Sequence, residues 1–292
     1  MHPLITFQQE IKNYINTGFE IELLDKTCLF SEGPVWNKEG YYLFSDIPNN
    51  VINKIIPGTP KEIYLSNSGC SNEAEAELPR MMGSNGLAYD AENNLFVCQH
   101  GDHAVARLYK SSLIPVITSY QNKKLNSPND IVIDSKGSVF FSDPPYGLAD
   151  QKLNPERYQP LAGFYCFRNE ELKLFCDKYQ YPNGVCISPD GKFLYTCSNK
   201  PFEAFVLEFF VKDLSQKRVV CQENSDGIKC DAYGNLYLCN KEGIIVVDTK
   251  GKRMGLIQLP TIPANCCWGG KDLKDLFICA RENIFLIRNL QK

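Results

Sequence analysis

The 292-residue chain contains no CxxC pair, no GxSxG motif and only three histidines. The first absence removes the ligand spacing typical of a structural zinc site. The second, with so few histidines, leaves nothing to build a serine nucleophile triad. No apolar run approaches the roughly 20 residues that a membrane helix needs. No long basic run accompanies the formal net charge of -3, so neither nucleic acid nor an anionic membrane is expected as a partner. The N-terminal stretch MHPLITFQQEIKNYINTGFE carries acidic and amide residues where a signal peptide would be apolar, and a cytoplasmic chain is expected. Helical periodicity is scarce as well. It is confined to Thr6 to Asn16, with Phe7, Ile11, Tyr14 and Ile15 on one face, and to the acidic stretch Asn72 to Leu78. Neither alternates with strands, which argues against a doubly wound α/β fold.

What is present is strand material. Hydrophobic residues make up 43% and charged residues 22% of the chain, enough apolar surface for a large core. The thirteen cysteines are odd in number and sit mostly inside apolar runs such as Phe96-Val97-Cys98 and Leu194-Tyr195-Thr196-Cys197. They read as buried thiols rather than a disulfide framework.

One pattern recurs six times: a polar residue, a short apolar run, a Gly/Asp/Asn turn and a second β-prone run. The copies begin at Glu32, Asn85, Asn129, Asn183, Asp226 and Asn265 and are separated by 53, 44, 54, 43 and 39 positions. That spacing is close to the roughly 40–50 residues of a four-stranded propeller blade. Turn residues such as Lys38-Glu39-Gly40 and Ser135-Lys136-Gly137 join the two runs, so each copy supplies a blade's inner hairpin. The sequence therefore predicts an all-β, six-bladed β-propeller over residues 19–292, preceded by a short N-terminal helical extension over 1–18. The last copy leaves too few residues for a whole blade, and the run Phe19 to Leu24 is expected to supply its missing strand. That closure removes exposed sheet edges.

In a propeller the inner strands line a central channel, so equivalent repeat positions lie at one height. Glu32, Asn85, Asn129, Asn183, Asp226 and Asn265 should then form a ring at one mouth. Every member is a side-chain oxygen donor. Burying such a ring without compensation is costly, and a cation would satisfy the oxygens together. An all-oxygen set with two carboxylates suits a divalent metal, calcium first, with magnesium, manganese and zinc behind it. Trp36 and Trp268 hold equivalent positions and are expected between blades. The connections Asn67 to Met82 and Pro144 to Gly163 are candidates to overhang the mouth.

These motifs resemble the gluconolactonase and senescence-marker-protein (regucalcin) family of six-bladed propeller lactonases. The resemblance runs from Phe30-Ser-Glu-Gly-Pro-Val-Trp36 to Pro263-Ala-Asn-Cys-Cys-Trp-Gly269. It is nearest to the bacterial gluconolactonase branch in Leu95-Phe-Val-Cys-Gln-His-Gly-Asp102, Asn126-Ser-Pro-Asn-Asp-Ile-Val132, Phe141-Ser-Asp-Pro-Pro-Tyr-Gly147 and Tyr181-Pro-Asn-Gly-Val185. It implies that Glu32, Asn183 and Asp226 bind a catalytic metal, with Asn129 as substrate contact or fourth ligand. Asn85 and Asn265 join Asn129 as candidate substrate-binding residues. The animal members carry a sugar-contacting arginine where this chain has Ser127, so their sugar specificity does not transfer.

The resulting expectation is a metal-dependent hydrolase of a small-molecule lactone, acting as a monomer or weak homo-oligomer. Asp226 is the first candidate general base and His100 the second; ligation of Asp226 to a dication would weaken its basicity. His103 and His2 are read as surface residues. Two alternatives stay open: an organophosphate triester hydrolase of the same fold, and a non-enzymatic interaction platform.

Overall fold

The computed structural model of the chain describes residues 3–72 and 81–292. The acidic stretch expected to be helical lies almost wholly outside them, as does His2. Six four-stranded antiparallel sheets follow one another along the chain as the blades of a propeller. Blade one runs Ser31–Asn37, Tyr41–Asp46, Val51–Ile55 and Glu62–Ser66 from the axis outward. The inner strands of the next four are Ser84–Tyr89, Ile131–Ile133, Pro182–Ile187 and Ile228–Cys230. Blade six takes Asn265–Gly269, Asp275–Ala280 and Asn283–Ile287 from the end of the chain and Glu22–Asp25 from its beginning. The ring is thus closed by an N-terminal strand, as expected.

The strands are apolar on both faces because each blade is covered on both sides. In Tyr41–Asp46, Tyr42 and Phe44 pack with Phe277 and Cys279 of blade six, while Leu43 packs with Leu87 and Val97 of blade two. The same division repeats at every interface, so the core is six seams between neighbouring blades rather than one central mass. All thirteen cysteines are free, and all but Cys230 are buried. Trp268 reaches from blade six onto blade five, where its indole N–H donates to the Cys230 carbonyl at 2.9 Å. Trp36 lies against Tyr42 in the seam between blades one and six.

In place of a helix over Thr6 to Asn16, the chain forms a strand, Leu4–Thr6, and a 3-10 helix, Gln9–Asn13. The strand pairs with Arg253–Ile257 and adds a fifth strand to blade five. Ile11 and Ile15 are buried in the seam between blades five and six. The apolar face anticipated for a helix is therefore used, but the unpaired edge of blade five captures the backbone ahead of it.

A glycine follows the leading polar residue in four copies, at Gly33, Gly86, Gly184 and Gly227. A Cβ at Gly33 would lie 1.9 Å from the Asn85 carbonyl oxygen, and one at Gly86 would lie 2.5 Å from that of Asn129. Gly86 N–H donates to that same Asn129 oxygen at 2.7 Å. Adjacent inner strands therefore approach as closely as backbone allows, which only glycine permits. In blades one, two and four the ladder also breaks by a bulge at this point, which re-aims the leading side chain.

Gly86 lies outside the left-handed region, so Gly86→Ala adds only a steric contact against backbone. We expect a stability loss of about 1–3 kcal/mol, the usual scale for overpacking, read from the denaturant midpoint. An unchanged midpoint would contradict the close approach.

Candidate functional site

The leading residues stand at or just before the start of their inner strands, and hydrogen bonds join them in two groups, a run of four and a pair. Asn85 Nδ2 donates to Asn129 Oδ1 at 2.6 Å, Asn129 Nδ2 to Asn183 Oδ1 at 2.9 Å, and Asn183 Nδ2 to Asp226 Oδ1 at 2.5 Å. Across the mouth Asn265 Nδ2 donates to Glu32 Oε2 at 3.0 Å, which also receives the Gly33 N–H at 2.7 Å. Asp226 can only accept when ionised, so it fixes the orientation of every amide behind it. The relay ends on Asn85 Oδ1, a buried oxygen with no hydrogen-bond partner. Five ring members are buried, and Asp226 alone is partly exposed. Its Oδ1 is taken by Asn183 and, at 3.4 Å, by Asn199 Nδ2, leaving Oδ2 for the mouth.

His100 is fully buried against the ring members Asn85 and Asn129. The loop folds inward because His100 N–H bonds to the Gly83 carbonyl at 3.2 Å and Gly101 N–H to that of Met82 at 2.9 Å. Nδ1 lies 2.9 Å from the Met81 carbonyl, which can only accept; that nitrogen therefore carries the proton. Nε2 is left as an acceptor, 3.4 Å from Asn85 Nδ2 and 3.2 Å from Asn129 Oδ1. Burial pushes the imidazole pKa down to about 4, against the raising effect of the Met81 and Asn129 contacts. At neutral pH it is uncharged. His103, expected at the surface, is instead half-buried, with Nδ1 bonded to the Asn126 carbonyl and its ring 4.4 Å from that of Tyr158.

Four further residues belong to the site. Asp130, just before the inner strand of blade three, and Lys229, in that of blade five, form an ion pair of 3.6 Å that spans blade four. Lys229 Nζ also donates to Asn265 Oδ1 at 3.2 Å, turning that amide so that its nitrogen faces Glu32. Burial alone would lower the lysine pKa, but the Asp130 carboxylate holds it above the usual value. Tyr146, from the connection between Pro144 and Gly163, places its hydroxyl 3.5 Å from Asn183 Nδ2 and donates to Asn199 Oδ1 at 2.8 Å. The other long connection, from Asn67 to Met82, lies partly outside the described residues. Ser127 points away from the mouth: its Oγ donates to the Pro144 carbonyl at 2.5 Å and accepts the Gly147 N–H at 2.9 Å.

The carboxyls of Glu32 and Asp226 are both held above the ordinary carboxylate range. Burial is the main cause for each, with the field of Asp226 and Asp130 added at Glu32 and that of Asp130 added at Asp226. Two carboxylates in each other's field, an orphaned amide oxygen and a ring of oxygen donors form a set that a hard dication fits.

Sequence comparison places this geometry among known proteins. The chain is 29% identical to a gluconolactonase of Zymomonas mobilis over 304 residues, covering 97% of this chain and 85% of the relative. It is 26% identical to the regucalcin of Oryctolagus cuniculus over 275 residues, covering 90% and 87%. Its fold superposes on the gluconolactonase XC5397 of Xanthomonas campestris with a TM-score of 0.86 at 22% identity, covering 99% and 95% of the two chains. Residues 30–282 match the SMP-30/Gluconolactonase/LRE-like region, and the chain belongs to that family.

Proposed function

We propose that this chain is a divalent-metal-dependent lactone hydrolase, gluconolactonase-like in reaction. The observation that carries the reading is the ring itself: six oxygen-bearing side chains on one axis, with a single carboxylate, Asp226, open to the mouth. The relatives named gluconolactonase and regucalcin support the same reaction class. Glu32, Asn129, Asn183 and Asp226 would hold the ion, with calcium first by donor chemistry. Asn85, Asn129 and Asn265 are assigned to the substrate, and their contacts with it would replace bonds they now make within the site. When bound, the ion supplies Lewis-acid polarisation of the lactone carbonyl and positive charge for the developing oxyanion.

The chain's own residues supply positioning and proton transfer. Asp226 Oδ2 faces the mouth, where it can take a proton from the attacking water as the new C–O bond forms. The same carboxyl can return that proton to the ring oxygen as the lactone C–O bond breaks. Asn183 and Asn199 hold the other oxygen, so the carboxylate is aimed rather than free to rotate. Tyr146 contacts both amides through its hydroxyl. His100 is sealed from solvent, and its acceptor nitrogen is spent on Asn85. It acts as an anchor of the ring, and Asp226 is the base.

Chelation tests the metal. Dialysis against EDTA should reduce hydrolysis of D-glucono-1,5-lactone to the uncatalysed rate, and calcium or manganese should restore it. Hydrolysis that survives chelation would remove the ion from the reaction.

Substitution tests the base. Asp226→Asn keeps the shape and one oxygen but removes the charge, so kcat should fall by about 10²-fold or more, and excess metal should not recover it. At saturating metal His100→Ala should lose far less. The opposite ranking would transfer the proton to His100.

A further inference from the structure

Beside the ring, on the side of Asp226, the mouth has a wall that the hydrolytic reading leaves unused. Asn199 and Lys200 follow the strand Phe193–Ser198 and open into the short turn Pro201–Glu203. Asn199 reaches Asp226 at 3.4 Å, so Lys200, the next residue, departs from the edge of the site. Its ammonium lies 4.5 Å from the centre of the Tyr181 ring and 5.6 Å from that of Tyr146. Those two rings stack with centroids 5.9 Å apart. Phe202, 68% exposed, meets Tyr181 edge-on at 6.4 Å and extends the wall outward.

Three features separate this lysine from an ordinary surface charge. It is half-buried against aromatic faces, which attract a cation but provide no counter-anion. No carboxylate among the described residues comes within ion-pair distance of it. The acid on its own turn, Glu203, is buried and occupied: it accepts the N–H groups of Gln180 at 2.5 Å and Tyr181 at 3.2 Å, and the Ser198 hydroxyl at 2.6 Å. Those bonds fix the turn, and with it the position of Lys200. The other lysine of the site, Lys229, is already matched by Asp130. Burial raises the Asp226 pKa, and the field of Lys200 reaches that carboxyl and lowers it; once a dication takes up the charge of Glu32 and Asp226, no carboxylate among the described residues pairs with Lys200 at the mouth.

We propose that Lys200, with Tyr181 and Phe202 as its apolar flank, is a specificity subsite for an anionic group, carboxylate or phosphate, carried by the lactone. This rests on the hydrolase reading. Lys200 touches a remote substituent of the substrate and takes no part in bond breaking. A charged hydrogen bond of this kind is worth about a factor of ten or more in discrimination.

The test compares kcat/KM on D-glucono-1,5-lactone, its 6-phospho derivative and D-glucaro-1,4-lactone, using calcium-loaded enzyme. Wild-type enzyme should favour the two anionic lactones by about tenfold, and added salt should narrow the gap. Phosphate and carboxylate as the preferred anion are told apart by the second and third substrates. Lys200→Met should reduce the anionic-to-neutral ratio by about tenfold, and Lys200→Arg should restore most of it. Wild-type preference for the neutral lactone, or a Lys200→Met variant with an unchanged ratio, would overturn the subsite while leaving the hydrolase reading intact. If no lactone turns over, that reading fails, and calorimetry still decides the subsite: 6-phosphogluconate or glucarate should bind about tenfold tighter than gluconate. Equal affinity of all three would end the proposal.

Discussion

The structure depends on how closely six inner strands can approach one axis. Backbone contacts at Gly33 and Gly86 leave no room for a side chain between neighbouring blades, and the same residue type recurs at Gly184 and Gly227. Because the strands meet there, Asn183 and Asp226, each just before a glycine, come within hydrogen-bond reach of each other, as Asn85 does of Asn129. A propeller with looser inner strands would still bury its seams, but its amides would face a wider, wetter channel. The two copies without glycine show how the constraint is otherwise met. Asp130, next to Asn129, crosses to the following blade and accepts the Val185 N–H at 3.0 Å. Cys266, next to Asn265, offers its own N–H to the Asn265 carboxamide at 2.9 Å.

That tightness concentrates charge. Glu32, Asp226 and Asp130 share a small, poorly solvated volume with one half-buried lysine, and both ring carboxyls are held above their ordinary range by burial and by the field of neighbouring carboxylates. The chain tolerates this by converting amides into a directional relay that begins at Asp226 and runs out of partners at Asn85. The arrangement is satisfied almost everywhere and short of positive charge at its centre, the condition under which a dication binds in place of water.

The architecture and the ring were legible in the sequence because a sixfold repeat converts sequence position into height on an axis. The closing strand was legible from the short final copy, which left blade six one strand short. Other features carry no such signal. Tyr146 and Asn199 reach the site from connections whose path no repeat constrains. Lys229, three residues after Asp226, sits in an inner strand where one polar residue among apolar ones reads equally well as facing outward. The depth of His100 was decided by backbone bonds to Met82 and Gly83, which residue type does not encode. The N-terminal segment had a helical apolar period, yet the free edge of blade five competed for its backbone and took Leu4–Thr6.

The central claim is that the ring, and no other part of the molecule, holds the dication that hydrolysis requires. Anomalous scattering from crystals soaked in manganese tests it most directly. The account predicts one strong peak on the channel axis, enclosed by Glu32, Asn183 and Asp226, and its loss in crystals of Glu32→Gln. An active, manganese-soaked enzyme with no peak inside the ring, or with peaks only at the outer surface of the blades, would contradict it.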